Sequence, residues 1–283
     1  MTALQNIKNV IVGLTEEGQQ GETSDAIGYG LSLSVAAGAH LTVQAASRRI
    51  VMNSALAGGF VRGLASEENG RTAGLGEAVA EKVRGDAARA GIGCTVDSPQ
   101  LTHPVILASF AAKARLHDLA ILDAEERTID LDRELIEAAL FGSGRPVIVV
   151  PAGYNAFAGH RIVIAWDGGK NATRAVNDAL PFLRAAEAVE IVSVIGDKDL
   201  PTSVAGAGLA VHLARHGIAV TVNDLPLRRD GDVAETLRSE AGLYRADMIV
   251  MGAYRHGPIR QWIFGGLTQA MMTLCPFPLF LAH

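Results

Sequence analysis

The chain has 283 residues, 49% hydrophobic but only 5% aromatic, a length that suits two compact domains with cores of Ala, Val, Ile, Leu and Gly. The net charge is -5, the sequence pI is near 5.9 and no long basic run occurs, which weighs against a nucleic-acid partner. Cys94 and Cys275 lie in different halves and in no CxxC pair, no apolar run approaches the roughly 18 residues of a bilayer span, and Met1 to Gln5 is polar, so the expectation is a cytoplasmic protein with no membrane partner, no disulfide framework and no metal site.

Asn9 to Thr15 (NVIVGLT) is a short β-branched run that predicts a buried parallel strand. A helix is predicted over about Glu22 to Ala37, then a strand over His40 to Ala46. The Gly-rich insertion near residues 47–76, with Gly58, Gly59, Gly63, Gly70, Gly74 and Gly76, predicts a long flexible loop feeding the second helix. Arg115 to Leu122 (RLHDLAIL) places a helix end and Asp118 before an apolar strand, and Arg145 to Val150 (RPVIVV) predicts the last strand of this half. Gly142-Ser143-Gly144 before that strand reads as a turn, not as the strand-to-helix elbow of hydrolases.

After the Pro151 to Gly159 segment (PAGYNAFAG) the order repeats. Arg161 to Asp167 (RIVIAWD) predicts a strand, Ala172 to Ala186 a helix, and Ala188 to Ile195 (AVEIVSVI) a second strand. Tyr244 to Met251 (YRADMIVM) repeats the helix end and pre-strand Asp at Asp247, and Pro276 to Ala282 (PFPLFLA) closes the half. The first strands start 152 residues apart and the fourth strands 129, so the first half carries 23 extra residues, placed in the insertion. Each half therefore reads β-α-β-α-β-α-β-α-β, an α/β fold of two tandem Rossmann-like domains, residues 1–152 and 160–283, each with a five-stranded parallel sheet flanked by helices. The fifth strands, Pro146 to Val150 and Phe277 to Leu281, are apolar edges, and pairing them would make an intramolecular pseudo-dimer. A homodimer would need another surface, such as the insertion.

Ligands of open α/β sheets bind at the carboxyl ends of the strands, near the point where strand order reverses. In the second half that edge holds Asp167, Val194 and the loop from Gly252 to Gly266, which leads into a helix. Glycines there allow backbone N–H groups to approach a phosphate, which the helix N-terminus favours. His212 and His216, four apart on a predicted helix, read as a shared solvent face, and Trp166 as a packing residue beside the pocket.

The run from Met251 to His283 (MGAYRHGPIRQWIFGGLTQAMMTLCPFPLFLAH) resembles the C-terminal signature of universal stress protein domains: Gly, two residues, Gly, nine residues, then Gly followed by Ser or Thr. The resemblance implies a fold of the adenine nucleotide alpha hydrolase-like type. It also implies an ATP or AMP site in the second domain only, with Asp167 and Val194 at the base and Gly252, Arg255, Gly265, Gly266 and Thr268 toward the phosphates. Arg255 replaces the second glycine and Gly266 the Ser or Thr, so Arg255 either obstructs a phosphate or clasps it. In the first half Thr15 stands in place of the Asp, and Asp123 and Glu126 in place of the first two glycines, where carboxylates would repel phosphate. The resemblance implies a non-catalytic stress-response module that acts through protein partners; no Walker lysine, paired acid and base or metal-ligand set is present in the sequence. A slow ATPase and a nucleotide-independent scaffold remain the alternatives.

Overall fold

The structure is a computed structural model, and it describes residues 4, 6–16, 24–51, 59–124, 131–195, 206–227, 232–254 and 266–283. The first half runs β1 (Asn9–Glu16), α1 (Asp25–Ala37), β2 (His40–Arg48), α2 (Gly59–Ala90), β3 (Cys94–Asp97), a two-residue β4 (Gln100–Leu101), α3 (His103–Ala114), β5 (Leu119–Asp123), α4 (Leu131–Gly142) and β6 (Val147–Val150). The second runs β7 (Arg161–Ala165), α5 (Lys170–Ala185), β8 (Ala188–Ile195), α6 (Gly206–Arg215), β9 (Val220–Pro226), α7 (Val233–Tyr244), β10 (Met248–Gly252), α8 (Gly266–Leu274) and β11 (Leu279–Ala282).

All these strands lie in one sheet, in the order β3-β2-β1-β5-β6-β11-β10-β7-β8-β9, with β4 beside β2. Within each half the pairings are parallel, as the apolar strands separated by helices require. The two-residue β4 makes six strands in the first half where five were expected, and the halves meet through their last strands, β6 and β11, antiparallel, with Phe280 opposite Ile148, Leu279 opposite Val149 and Leu281 opposite Val147. Two edges that would otherwise expose unpaired backbone groups thus satisfy each other. The core is continuous across the junction. On one face Val10, Tyr29 and Ile148 pack in the same cluster as Ile164, Phe182 and Phe280; on the other Phe110 and Val149 cluster with Met271 and Leu281.

The repeat extends to individual hydrogen bonds. Asp118 Oδ2 accepts from the N–H groups of Lys8 (2.7 Å) and Asn9 (2.9 Å), and Asp247 Oδ2 accepts from those of His160 and Arg161 (2.8 Å each). The aspartate before β5 therefore clamps the start of β1, and the one before β10 clamps the start of β7. The segment between the domains is packed rather than loosely tethered. Phe157 stands edge-on between Tyr29 (5.7 Å) and Phe182 (5.8 Å), and Phe182 in turn meets Phe280 (5.5 Å). The Gly153 N–H donates to Asp25 Oδ2 at 2.7 Å.

The insertion departs from the sequence expectation. From Gly59 onward it is not a loop but the start of the 32-residue α2; residues 52–58 lie outside the described residues. Each glycine costs a helix about 1 kcal/mol against alanine, but Ala, Leu, Glu and Arg dominate the segment and favour helix. Asn69 then ties it down: its amide accepts from Ile50 N (2.8 Å) and donates to Ile50 O (2.9 Å), while its carbonyl accepts from Gln100 Nε2 (2.6 Å). The first turns stay in solvent, with Phe60 79% and Leu64 50% exposed. Among the described residues no helix is long and apolar enough to cross a membrane, and no group of three or more His, Cys, Asp and Glu side chains could hold a metal ion.

Candidate functional site

In the second half strand order reverses between β7 and β10, and the carboxyl ends of these two strands are where open α/β sheets place a ligand. Asp167 follows β7 there, and both its oxygens are engaged. Oδ1 accepts from the Gly169 N–H at 2.8 Å, and Oδ2 accepts from the Tyr254 hydroxyl at 2.5 Å. Burial, and the Asp167 carboxylate it donates to, push the Tyr254 phenol far above its usual range, so it remains a donor. The Tyr254 N–H in turn donates to Thr268 Oγ1 at 3.2 Å, and Thr268 is fully buried. Asp167, Tyr254 and Thr268 thus form one chain of contacts from β7 across to α8.

Val194 lies near the end of β8 with its side chain in the core. Ile195 O accepts from Leu227 N at 2.9 Å, so alternation along the strand turns the Val194 peptide groups the other way, toward β7. Trp166 is buried in the core of the α5 side, and its Nε1 has no partner among the described residues. Gly252 is required by packing. A Cβ there would fall 2.4 Å from Ala172 N and 2.5 Å from the Asn171 carbonyl carbon, so the glycine is what lets the first turn of α5 sit against β10. The Asn171 amide closes this contact by donating to Ala253 O at 2.6 Å, and it lies 3.2 Å from His283 Nδ1. Gly266 opens α8 and is exposed, and among the described residues nothing lies within 4 Å of where its Cβ would stand. Arg255 and Gly265 fall outside the described residues, as does Glu126 of the first half.

The equivalent place in the first half is filled by protein. Asp123, at the end of β5, accepts from Ser24 Oγ (2.6 Å) and from the Ala26 N–H (2.8 Å), so its carboxylate serves as the anion at the N-terminus of α1. Burial raises its pKa above the usual carboxylate range, opposed by these hydrogen bonds. Thr15, where the second half has Asp167, donates to Asp132 Oδ1 at 3.1 Å.

These features accompany a sequence match. Residues 159–283 match the universal stress protein family. No curated protein matches the chain. A universal stress protein from Archaeoglobus fulgidus DSM 4304 superposes with a TM-score of 0.68 at 15% identity, covering 96% of this chain and 97% of that one. A putative universal stress protein from Pseudomonas aeruginosa UCBPP-PA14 gives 0.56 at 16% identity, over 99% and 94%. A functionally unknown protein from Pseudomonas aeruginosa PAO1 gives 0.55 at 15%, over 99% and 93%. At these identities the likeness is one of fold, and it extends over nearly the whole chain.

Three residues that matter to the site carry no signal in the sequence. Tyr254 stands inside the glycine motif, between Gly252 and Arg255, where the glycines drew attention. Asn171 and His283 act through contacts between residues 112 apart, which spacing alone does not reveal. The two histidines His212 and His216 do share a face, with ring centroids 4.8 Å apart, and His216 Nδ1 accepts from Arg184 Nη2 at 2.9 Å. Ser143 Oγ accepts from the Arg145 N–H at 3.0 Å, as a turn residue does.

Proposed function

We propose that this protein is a non-catalytic stress-response module whose second domain binds one adenine nucleotide, ATP or AMP, and whose first domain binds none. The observation that carries this reading is the contrast between the two equivalent strand ends. In the second half Asp167 stands at the end of β7 with Oδ1 held by the Gly169 N–H, and at the same edge of the sheet α8 begins at the exposed Gly266. A carboxylate accepts from the amino group of adenine, and a helix N-terminus favours phosphate. In the first half the Asp123 carboxylate already holds the donors of α1, so an entering phosphate would meet a like charge.

Gly252, buried against α5, contributes to this site by packing, and Thr268 by holding the Tyr254 backbone. The nucleotide would then act on protein partners through the loops at this edge. A nucleotide-independent scaffold is the second reading, and it draws support from the Tyr254 hydroxyl already occupying Asp167. Calorimetric titration with ATP and AMP separates the two: the proposal expects one site per chain, lost in Asp167→Ala, while the scaffold expects no heat of binding. Release of inorganic phosphate at a rate that Asp167→Ala abolishes would instead identify a slow ATPase.

A further inference from the structure

Resting on the nucleotide site just described, we propose that Tyr254 is an internal competitor for Asp167 and sets the affinity of that site. An ionised carboxylate only accepts hydrogen bonds. The Gly169 N–H takes one acceptor direction of Oδ1, and the Tyr254 hydroxyl takes one of Oδ2 at 2.5 Å, so a base that reaches Oδ2 must share it with the phenol or displace the phenol. The phenol and an exocyclic amino group are both donors and compete for the same oxygen. Steric overlap reinforces the competition. A Cβ on Gly169 would fall 2.1 Å from Tyr254 Oη, so the hydroxyl lies directly over the 167–169 turn and a base cannot reach the carboxylate along that side without displacing it.

The geometry also provides the means of displacement. Tyr254 is held at its backbone by the bond from its N–H to Thr268 Oγ1, and at its side chain by the bond to Asp167. Rotation about the Cα–Cβ bond breaks the second and leaves the first, so the ring can leave without loosening the end of β10. Tyr254 is half-buried and is not enclosed in either core cluster. The apparent affinity of the site is then its intrinsic affinity reduced by the fraction of molecules in which Tyr254 is closed.

The experiment uses the full chain and four proteins: wild type, Y254F, D167N and the double variant, each titrated with ATP. Hydrogen bonds to charged groups are worth enough that Y254F is expected to bind ATP about tenfold more tightly than wild type. That gain shrinks several-fold when Asp167 is already Asn, whose neutral amide oxygen accepts from the phenol more weakly, which a merely structural role for the phenol would not produce. ATP added to wild type also gives a tyrosine ultraviolet difference signal, lost in Y254F. Tyr254→Leu is expected to shift affinity in the same direction and serves if Y254F does not fold. Wild type binding ATP through Asp167, with Y254F equal or weaker, overturns the competitor and leaves the nucleotide site standing. No binding by wild type or by Y254F overturns both.

Discussion

Gly252→Ala separates the two uses a motif glycine can have. The added Cβ would lie 2.4 Å from Ala172 N, 2.5 Å from the Asn171 carbonyl carbon and 2.9 Å from Asn171 Cβ. These atoms belong to the backbone, or sit next to it, in the first turn of α5, so no side chain can swing aside. Ordinary contact begins near 3.4 Å, and α5 must retreat by about 1 Å, an overpacking strain of roughly 1–3 kcal/mol. The retreat also stretches the buried bond from Asn171 Nδ2 to Ala253 O, now 2.6 Å, which adds about 1–3 kcal/mol if it is lost. Gly252→Ala should therefore destabilise the protein by about 2–6 kcal/mol in urea unfolding at constant m-value. Gly266→Ala, where a Cβ meets nothing among the described residues, should stay within about 0.5 kcal/mol. An unchanged midpoint for Gly252→Ala together with weakened ATP binding would refute the packing role and assign the glycine to phosphate.

Other predictions follow from the same contacts. Asp247→Ala strands the His160 and Arg161 N–H groups and should cost about 2–3 kcal/mol by urea unfolding, and Asp118→Ala should act in the same direction in the first half. Phe280→Ala empties a fully buried ring position at the junction of the halves and should cost about 3–5 kcal/mol. A fragment of residues 159–283 leaves β11 without β6, so light scattering should find it self-associated, not monomeric. Burial, with Glu240 nearby, raises the pKa of Glu190 above its unfolded value. That carboxyl stabilises the fold fully only below the unfolded value of about 4.3, and the contribution is lost as pH rises through the folded pKa. Glu190→Gln, which escapes this loss, should thus gain stability relative to wild type as pH rises above about 4.3, and a difference that does not change with pH would contradict it.

The strands were legible because a parallel sheet buried on both faces leaves continuous apolar runs, and Ala188–Ile195 begins and ends where AVEIVSVI does. The pairing of the last strands was legible for a related reason, since two apolar edges in one short-linked chain have a cheap partner in each other. The start of α2 was not legible. Glycine content argued for a loop, while the contacts that fix the helix, from Asn69 to Ile50 and Gln100, join residues 19 and 31 apart. At the site, residue type showed Asp167 and Gly252 but not what occupies them. A glycine that admits a helix turn and one that admits a phosphate look the same in sequence, and the hold of Tyr254 on Asp167 spans 87 positions.

The difference between the two strand ends is the centre of this picture, and the stoichiometry of ATP binding to the full chain tests it most directly. Calorimetry on wild type, Asp167→Ala and Asp123→Ala should give one site per chain in wild type, none in Asp167→Ala, and a site of unchanged affinity in Asp123→Ala as long as that variant remains folded. Two equivalent sites in wild type, or a site that survives Asp167→Ala at full affinity, would contradict it.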